Sequence, residues 1–483
     1  MLRYEASYDM KTCSRFLGLL LVLVLVSCDS FLYQEPTTEI SKNEALADIE
    51  SVERALYGAY NQTMESPDAY RGFLTYYADL AGGNVKINPG LTLEAKSELR
   101  RIESFNSLSD LTVESYTALY EILNAVNNVI NAIPTLPEGN RAEKDRILGQ
   151  ALGLRALIHF DLVRLYAQPY SFTDDARHRG IVVLTKTPRP EQNPPRSSVR
   201  QAYDQIVDDL DRSIDLLEGR SFDPAFINAV NAKALLSRVY LYQKEWAKVV
   251  TLSNEVIANE ATNLAPTEDL RAMWRNDYTR NEFLLRLDGA AYSTYTLATD
   301  WGNTSSNTSP TLSATADIMA LYDSTDVRGR GAGKLIQKTI DEGDTLFSSQ
   351  KYPEPTTQAP NDVGVIRLAE VYLNRAEAYA NLNRPAPARA DLNTIRQRAN
   401  PEAESVTASG ETLLDAILRE RRKELAFEGH LLYDITRYKR DVTRAYCSGE
   451  PSCTEPYPSS KFVLPIPQDA LTANNELTQN EGY

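Results

Sequence analysis

Histidine is scarce in this chain, with three among 483 residues. His159, His178 and His430 lie far apart in the sequence, so they suggest neither a catalytic dyad nor a metal site. His159 lies in the middle of a predicted helix, where a packed side chain is the simplest interpretation. His430 follows Gly429 at a helix end, where a cationic ring would suit the helix dipole.

Signatures of nucleophilic and phosphate chemistry are also missing. No serine lies in a nucleophile elbow. Residues 329–334 fail the spacing of a phosphate-binding loop, because Arg328 occupies the first glycine position and Leu335 the hydroxyl position. Carboxylates are so numerous that a glycosidase pair could be assigned almost anywhere. The sequence therefore predicts no catalytic residue and no cofactor, and a glycan hydrolase remains an alternative.

Basic residues are outnumbered, since 51 Lys and Arg stand against 66 Asp and Glu for a net charge of −15. The acidic residues are spread along the chain rather than collected in a tail. A nucleic-acid-binding surface needs a basic stripe, and an anionic membrane also attracts basic patches. The composition argues against both partners, so any attachment to a membrane must come from a lipid.

Long apolar runs are limited to one, at residues 16–27, which follows Lys11 and Arg15. It has about a dozen residues, fewer than the roughly 20 that a membrane-spanning helix needs. A short apolar core behind a positive stub is typical of a secretory signal. Residues 1–27 are therefore predicted to be a signal peptide, with Met10 as an alternative start.

The end of this run determines how the mature chain begins. Leu25-Val-Ser-Cys28 resembles a bacterial lipobox, in which cleavage leaves an acylated cysteine as the first residue. Cys28 is therefore the predicted lipidation site. An ordinary signal peptide next to a stray cysteine is the alternative.

Cysteine is nearly as rare as histidine, with four residues. Cys13 leaves with the predicted signal and Cys28 carries the lipid. Cys447 and Cys453 remain, on either side of Ser-Gly-Glu-Pro-Ser. In an oxidising exported setting, such a pair is typical of a disulfide-clipped loop. A metal site is the alternative, but no histidine lies nearby and the spacing matches no zinc pattern.

Helical periodicity dominates the rest of the chain, with Pro and Gly at the breaks. The predicted helices cover residues 44–63, 113–132, 141–166, 199–217, 228–243, 246–259, 365–382, 386–398 and 413–428. Residues 261–360 instead are rich in Thr, Ser, Asn, Tyr and Gly and have no long amphipathic period. The mature chain thus divides into an N-terminal tether (28–42), a helical part (43–260), an irregular region (261–360) and a C-terminal helical part (361–483).

Two of the predicted helix pairs look like copies of one unit. Ser237 precedes Tyr240 by three residues, and Ala376 precedes Tyr379 by the same interval. A small residue one turn before an aromatic lets two helices approach while the ring fills the groove between them. This is the logic of tetratricopeptide repeats, in which each pair buries its apolar face against neighbours. Two unrelated helical hairpins are the alternative.

Nine ordered strings carry a resemblance to a known family. They are CDSFLYQEP (28–36), ALYGAY (55–60), ALGLRALIHFDLVRLY (151–166), DVR (326–328), IRLAEVYLNRAEAY (366–379), ERRKELAFEGH (420–430), DITR (434–437), LPIP (464–467) and QNEGY (479–483). In this order they resemble the RagB/SusD family of outer-membrane nutrient-uptake lipoproteins, over essentially the whole mature chain. One departure is His159, which stands where the family often has an aromatic residue.

The resemblance implies a mostly α fold, in which tetratricopeptide-like hairpins form a SusD-like α-α superhelix beside an irregular, loop-rich ligand-binding region. It also implies a lipid-anchored protein on the outer membrane, facing the cell exterior. Such a protein acts as a lid on a TonB-dependent, SusC-like transporter and delivers an oligosaccharide to it. A minority of the family take peptides, so a peptide ligand is the alternative.

The candidate ligand contacts are aromatic and polar residues in two stretches of the chain. Sugars pack C–H faces on aromatic rings, and Asn, Asp and Arg bond their hydroxyl groups. The family's ligand contacts tend to come from these same two regions. The candidates are Tyr70, Tyr76, Asp79, Asn84, Trp274, Tyr278, Tyr292, Tyr295 and Trp301. The alternative is that these rings belong to the core, as most aromatic residues of a large protein do.

Charged helix segments have a structural interpretation. Residues 419–424 place opposite charges at helical spacing, which predicts a solvated, mutually paired face. Glu370, Arg375 and Glu377 lie among apolar residues, which predicts ion pairs that clamp neighbouring helices.

Overall fold

The computed structural model describes residues 46–66, 68–90, 110–136, 140–189, 192–275, 282–289, 297–303, 310–341, 343–354, 362–444 and 453–483. Residues 1–47 and 48–483 are separate compact units, and the fold below is that of the second. The predicted signal, Cys28 and the tether lie outside the described residues. Within the described ranges, no helix is both long and apolar enough to span a bilayer.

Helices form most of the described unit, as predicted. The longer ones are α1 (Ile49–Glu65), α2 (Phe73–Gly82), α3 (Asp110–Ala132), α4 (Arg141–Tyr166), α5 (Val199–Leu217), α6 (Ala229–Gln243) and α7 (Trp246–Ile257). Two single-turn helices follow, α8 (Leu297–Asp300) and α9 (Ala316–Met319), and the C-terminal part contains α10 (Leu368–Asn381), α11 (Pro385–Ala399), α12 (Gly410–Glu424), α13 (Leu431–Arg437) and α14 (Gln468–Ala473).

Polar side chains fix where several helices begin. The hydroxyl of Ser198 accepts the N–H of Gln201, and the Gln201 side chain accepts the Ser198 N–H, which completes a capping box at the start of α5. Asn228 and Asn231 exchange the equivalent bonds at the start of α6. These caps satisfy N–H groups that a helix cannot bond internally, so the predicted and observed starts agree to within a residue.

Two hairpins, α6–α7 and α10–α11, share one turn geometry. The residue four after the tyrosine is left-handed in both, with φ of 62° at Lys244 and 56° at Asn383. The next residue donates its N–H to the carbonyl of Tyr240 at 2.9 Å in one hairpin and of Tyr379 at 2.8 Å in the other. The two hairpins pack side by side through α7 and α10. The tetratricopeptide-like arrangement is therefore confirmed.

Short strands occur as antiparallel pairs. They are β1 (Val85–Ile87) with β3 (Leu312–Ala314), β2 (Phe283–Leu287) with β6 (Val363–Arg367), β4 (Ile336–Asp341) with β5 (Asp344–Ser349), and β7 (Val442–Thr443) with β8 (Thr454–Glu455). The sequence predicted no strand for the irregular region, which holds β2 to β5. Strands of three to six residues carry too few alternations for a period of two to stand out.

A cluster of charged side chains, here called the ionic core, lies in the interior of this unit. It comprises Glu282, Asp326, Arg328, Lys351, Arg367, Arg398, Glu420, Lys423, Glu424 and Glu428. The formal charges of these five acids and five bases cancel. The members of the ionic core come from β6, α11, α12, the turn after α12, the segment before β4, and the segments beside β2 and β5. The ionic core therefore joins elements that are far apart in sequence.

The prediction of a solvated face at residues 419–424 is wrong. Glu420, Arg421, Lys423 and Glu424 are buried, and their main partners lie on other elements rather than along α12. Arg421, for example, donates to Asp434 at 2.8 Å. Charges at helical spacing produce the same sequence pattern whether they face water or pair with charged side chains from elements distant in sequence.

The predicted ion-pair clamps are confirmed. Arg238 on α6 donates to Glu370 on α10 at 2.7 Å. Arg375 donates to Asp391 on α11 at 2.7 Å. Glu377 accepts from Arg437 on α13 at 2.6 Å. The three charged residues of α10 that were predicted to form ion pairs therefore contact three different helices.

Candidate ligand-binding region

The first predicted stretch lies on and around α2, and its candidate residues are buried. Tyr70 donates to Asp161 on α4, and the rings of Tyr76 and Phe73 meet edge to face at 6.1 Å. Tyr70 and Tyr76 are each 6% exposed, and Asp79 and Asn84 have almost no exposed surface. These four residues pack the core of the described unit, and the ligand contact predicted for them stays a prediction.

Asp79 organises a turn at the other end of the chain. Its carboxylate accepts the backbone N–H groups of Phe427 at 3.1 Å and Gly429 at 2.8 Å, together with the side-chain amide of Asn84 at 2.6 Å. Gly429 has φ of 76°, and a Cβ there would lie 2.6 Å from the carbonyl oxygen of Leu74. Glycine is therefore required where this turn, residues 425–430, meets α2.

The three bonds to Asp79 do not offset its removal from water. Burial raises the pKa of the Asp79 carboxyl to about 6, against the opposing effect of Asn84, of the two N–H groups and of the Lys351 charge. Because the carboxyl titrates higher in the folded protein than its ordinary 3.8, folding favours the protonated form. Stability from this group is greatest below about pH 4 and falls as the pH rises to about 6.

We expect wild-type protein to lose about 2 kcal/mol of unfolding free energy between pH 4 and pH 6 relative to Asp79→Asn, which cannot titrate. Urea unfolding of both proteins at several pH values measures this difference, and the titrations common to both cancel. Parallel stability profiles for the two proteins would contradict the raised pKa.

Both candidate tryptophans also lie in the core. Trp301 is fully buried and packs against Phe427 with ring centres 4.9 Å apart. Trp274 is 8% exposed and meets Phe283 edge to face at 5.1 Å. Residues from other segments cover both rings, and the ligand contact predicted for them stays a prediction. Phe427, in the turn that Asp79 holds, supplies that cover for Trp301.

The remaining predicted site residues lie outside the described residues. These are Tyr278, Tyr292, Tyr295, Cys28 and Cys447. Cys453 is disulfide-bonded, and its pairing with Cys447 stays a prediction.

Four segments that lie outside the described residues, 91–109, 290–296, 304–309 and 355–361, are flanked by described residues. These flanking residues lie close together in two places. Beyond β1 and β3, the Asn88 N–H donates to the carbonyl of Thr311 at 2.9 Å, and its side-chain amide to that of Pro310 at 2.7 Å. Segments 91–109 and 304–309, which lie outside the described residues, therefore begin or end at neighbouring points. Segment 91–109 follows the first predicted stretch, and segment 304–309 lies in the irregular region.

The second place is at the end of the β2–β6 pair. The Gly289 N–H donates to Asp362 at 3.2 Å, and Arg286 forms an ion pair with the same carboxylate at 3.3 Å. Segments 290–296 and 355–361 depart from this point and also lie outside the described residues. The strand pairs thus bring together the bases of segments that the sequence separates widely.

A set of planar polar side chains that the sequence did not single out lies near the two tryptophans. This polar row consists of Arg271, Gln350 and Asn303. The Gln350 amide donates to Asn303 at 2.6 Å, and Arg271 donates to Gln350 at 3.4 Å. Arg271 and Asn303 are half-buried, and the Arg271 Nε has no partner among the described residues. Such side chains can bond hydroxyl groups. Arg, Gln and Asn are so common in sequences, however, that these three could not be recognised as candidate ligand contacts without the fold.

Comparison with known proteins identifies the family. A SusD family model matches residues 294–483, and a second, described as starch-binding and associating with the outer membrane, matches residues 35–241. The chain belongs to the SusD family.

Solved structures support the same assignment across the whole described unit. A SusD superfamily protein from Bacteroides thetaiotaomicron is 27% identical, with a TM-score of 0.81 over 90% of this chain and 99% of that one. A structure from Bacteroides vulgatus is 30% identical, with a TM-score of 0.79 over the same shares. SusD-like protein P38 of Formosa agariphila is 23% identical over 88% of this chain and 91% of its own length.

Two of the described histidines of this SusD-family protein, His159 and His430, are buried in the core, where they cannot act as general bases on a ligand. Burial, together with Arg155, lowers the pKa of His159 to about 3, and its Nε2 accepts the Leu184 N–H at 3.2 Å. His430 is buried, and its pKa is also well below its ordinary value because of burial and neighbouring arginines. The expectation of a cationic ring at His430 is therefore wrong. No group of side chains in the described ranges is arranged to hold a metal ion.

Proposed function

We propose that this protein is a cell-surface lipoprotein that binds an oligosaccharide and delivers it to a SusC-like, TonB-dependent transporter in the outer membrane. The observation that carries the proposal is the match of two SusD-family models to the two halves of the chain, one of them described as starch-binding and associating with the outer membrane. The protein binds its nutrient and does not cleave it.

The ligand site in this proposal lies beside the polar row and includes the segments that carry Tyr278, Tyr292 and Tyr295. Tyr278, Tyr292 and Tyr295 supply aromatic surfaces for sugar rings, and Arg271 bonds hydroxyl groups. Trp274 and Trp301, which pack against Phe283 and Phe427 in the core, support this site from within. The deep residues thus set the positions of the contact residues without touching the nutrient.

Membrane attachment in this proposal rests on the lipid at Cys28. One acyl chain holds a protein only marginally, whereas two or more anchor it stably. The residues between Cys28 and α1 act as a tether that keeps the helical unit over its transporter.

We expect the soluble mature protein to bind at least one member of a glycan panel in isothermal titration calorimetry. Arg271→Ala should weaken that binding by about tenfold, because the lost bonds to hydroxyl groups are charge-assisted. Arg212→Ala, which removes an exposed arginine of α5 with a loose 3.6 Å ion pair, serves as the control and should leave affinity unchanged. Binding of peptides with no response to any glycan would contradict the proposal and favour a peptide importer.

A further inference from the structure

Two neighbouring arginines of the candidate ligand-binding region carry charges that no carboxylate of the described residues balances. Arg275 ends a single-turn 3-10 helix (Ala272–Arg275), and Arg271 directly precedes that helix. Within the described ranges neither arginine forms an ion pair, and the one hydrogen bond of Arg271 is a long one, 3.4 Å, to the side chain of Gln350. Arg275 is exposed and Arg271 half-buried, so both keep surface that a ligand can reach.

The proximity of the two positive charges is unfavourable. Burial, and then the charge of Arg275, lower the pKa of the Arg271 guanidinium. Arginine nevertheless stays protonated in proteins, so the repulsion between the two side chains persists at neutral pH. In a chain with a net charge of −15, such a local excess of positive charge needs an explanation.

Two other arginines show how enclosed charges are compensated within this unit. Arg155 donates to both carboxylate oxygens of Asp209, at 2.8 and 2.6 Å. Arg196, which lies beside Arg179, donates to three backbone carbonyls at 2.7 to 3.1 Å. Arg271 has neither kind of compensation, because its partner is a neutral amide at a long distance.

The nearby ionic core does not supply the missing negative charge. Lys351 and Arg367 lie over the ring of Trp274, at 5.1 and 5.5 Å from its centre. Both cations are members of the ionic core, in which five acids and five bases cancel. The acids that lie close to Trp274 are therefore already matched, and the charges of Arg271 and Arg275 remain in excess.

We propose that the nutrient of this protein is an acidic oligosaccharide, and that Arg271 and Arg275 bind its carboxylate or sulfate ester groups. This inference rests on the proposed function, since it specifies the ligand of the same site. A guanidinium presents parallel N–H donors that fit the oxygens of such anions. The hydroxyl groups of a neutral sugar would bond the same donors but would leave both charges uncompensated.

The position of Arg275 in the chain fits this role. It directly precedes the segment that carries Tyr278, which supplies an aromatic surface in the proposed site. A sugar that packs on that ring has its charged substituent close to the guanidinium. The overall negative charge of the protein repels a polyanion, so binding of an acidic nutrient depends on a local positive site of this kind.

The test uses pairs of oligosaccharides that differ only in charge. Uronic-acid oligosaccharides are compared with their carboxyl-reduced forms, and sulfated ones with their desulfated forms, by isothermal titration calorimetry on the soluble mature protein. We expect at least one acidic member to bind wild type, and its neutral counterpart to bind about tenfold more weakly. The responding pair distinguishes a carboxylate from a sulfate. Added salt should weaken binding of the acidic member and leave that of the neutral one unchanged.

Two exposed arginines that each lie beside another arginine provide the variant and its control. Arg275→Gln should weaken binding of the acidic member about tenfold and leave the neutral counterpart unaffected. Arg179 is also exposed and lies beside Arg196, but it belongs to the segment between α4 and α5. Arg179→Gln removes the same charge and should change neither affinity. Neither substitution should shift the midpoint of urea unfolding, since both positions are exposed.

The inference is overturned if wild type binds neutral oligosaccharides as tightly as their acidic counterparts, or if Arg275→Gln binds the acidic member as wild type does. Tight binding of neutral oligosaccharides would leave the proposed function standing and remove only the acidic ligand. Absence of binding to every oligosaccharide would contradict the proposed function itself, so the two failures are distinguishable.

Discussion

Replacement of Arg367 by methionine is expected to lower the free energy of unfolding by about 3 to 5 kcal/mol. Arg367 uses each of its five N–H donors, to Glu282, Glu424, Glu428 and the carbonyl of Glu424, at 2.7 to 2.9 Å. Methionine fills a similar volume but leaves each of these carboxylates with one cation fewer. Urea unfolding followed by circular dichroism gives the size of the loss.

The large effect follows from the position of Arg367 within the ionic core. Although burial opposes ionisation, Arg398, Arg367 and Arg328 hold the pKa of the Glu424 carboxyl well below its ordinary value. Glu424 therefore stays charged in the interior at neutral pH. Removing one cation leaves a buried charge undercompensated, and this costs far more than the pair itself contributes.

An exposed arginine provides the matched control. Arg54 on α1 forms a surface ion pair with Glu50, one turn away, and both side chains are mostly exposed. Arg54→Met should change stability by less than about 0.5 kcal/mol, because water screens such pairs. Equal effects of the two substitutions would mean that the ionic core contributes no more than a surface pair.

The long amphipathic helices could be predicted from the sequence because their evidence is local. The bounds predicted for α4 and α5, 141–166 and 199–217, are those observed. Helix α2 was missed because nearly all of its ten residues are buried, and a helix that is apolar on every side shows no periodic contrast. Local periodicity therefore reveals helices that face both core and solvent, and misses those that are fully enclosed.

The burial of individual side chains could not be predicted, because it depends on contacts between distant segments. Trp301 lies in a stretch without periodicity, yet Phe427 from the C-terminal part covers it. Glu424 lies in a charged helical run, yet Arg328 and Arg367 surround it. An aromatic residue in irregular sequence and a charge on a helix each suggest exposure, and both expectations fail when tertiary packing supplies the missing partners.

The resemblance of ordered strings identified the family, which periodicity alone could not do. Several of those strings now have physical roles. Arg328 of the DVR string lies in the ionic core, and Gly429 of the ERRKELAFEGH string occupies a left-handed position against α2. These residues are specific to the fold rather than to a ligand. The strings therefore predict the scaffold well and leave the identity of the nutrient open.

Substitution of Cys28 by alanine is expected to abolish nutrient uptake in cells while leaving ligand affinity in solution unchanged. Cys28 lies outside the compact unit of residues 48–483, so its loss should not alter the proposed binding region. Without acyl chains the protein has no stable hold on the membrane, since its acidic surface is not attracted to anionic lipids. Growth on the cognate glycan measures uptake, and calorimetry on the purified protein measures affinity.

Cys13 supplies the matched control for this experiment. It is the other cysteine of the N-terminal segment, but it lies within the predicted signal and leaves the chain on cleavage. Cys13→Ala should therefore support normal growth, and the protein should stay in the outer-membrane fraction, whereas Cys28→Ala should release it. Normal growth of the Cys28→Ala strain would show that transport does not need the lipid anchor. Retention in the membrane without growth would instead assign Cys28 a role beyond attachment.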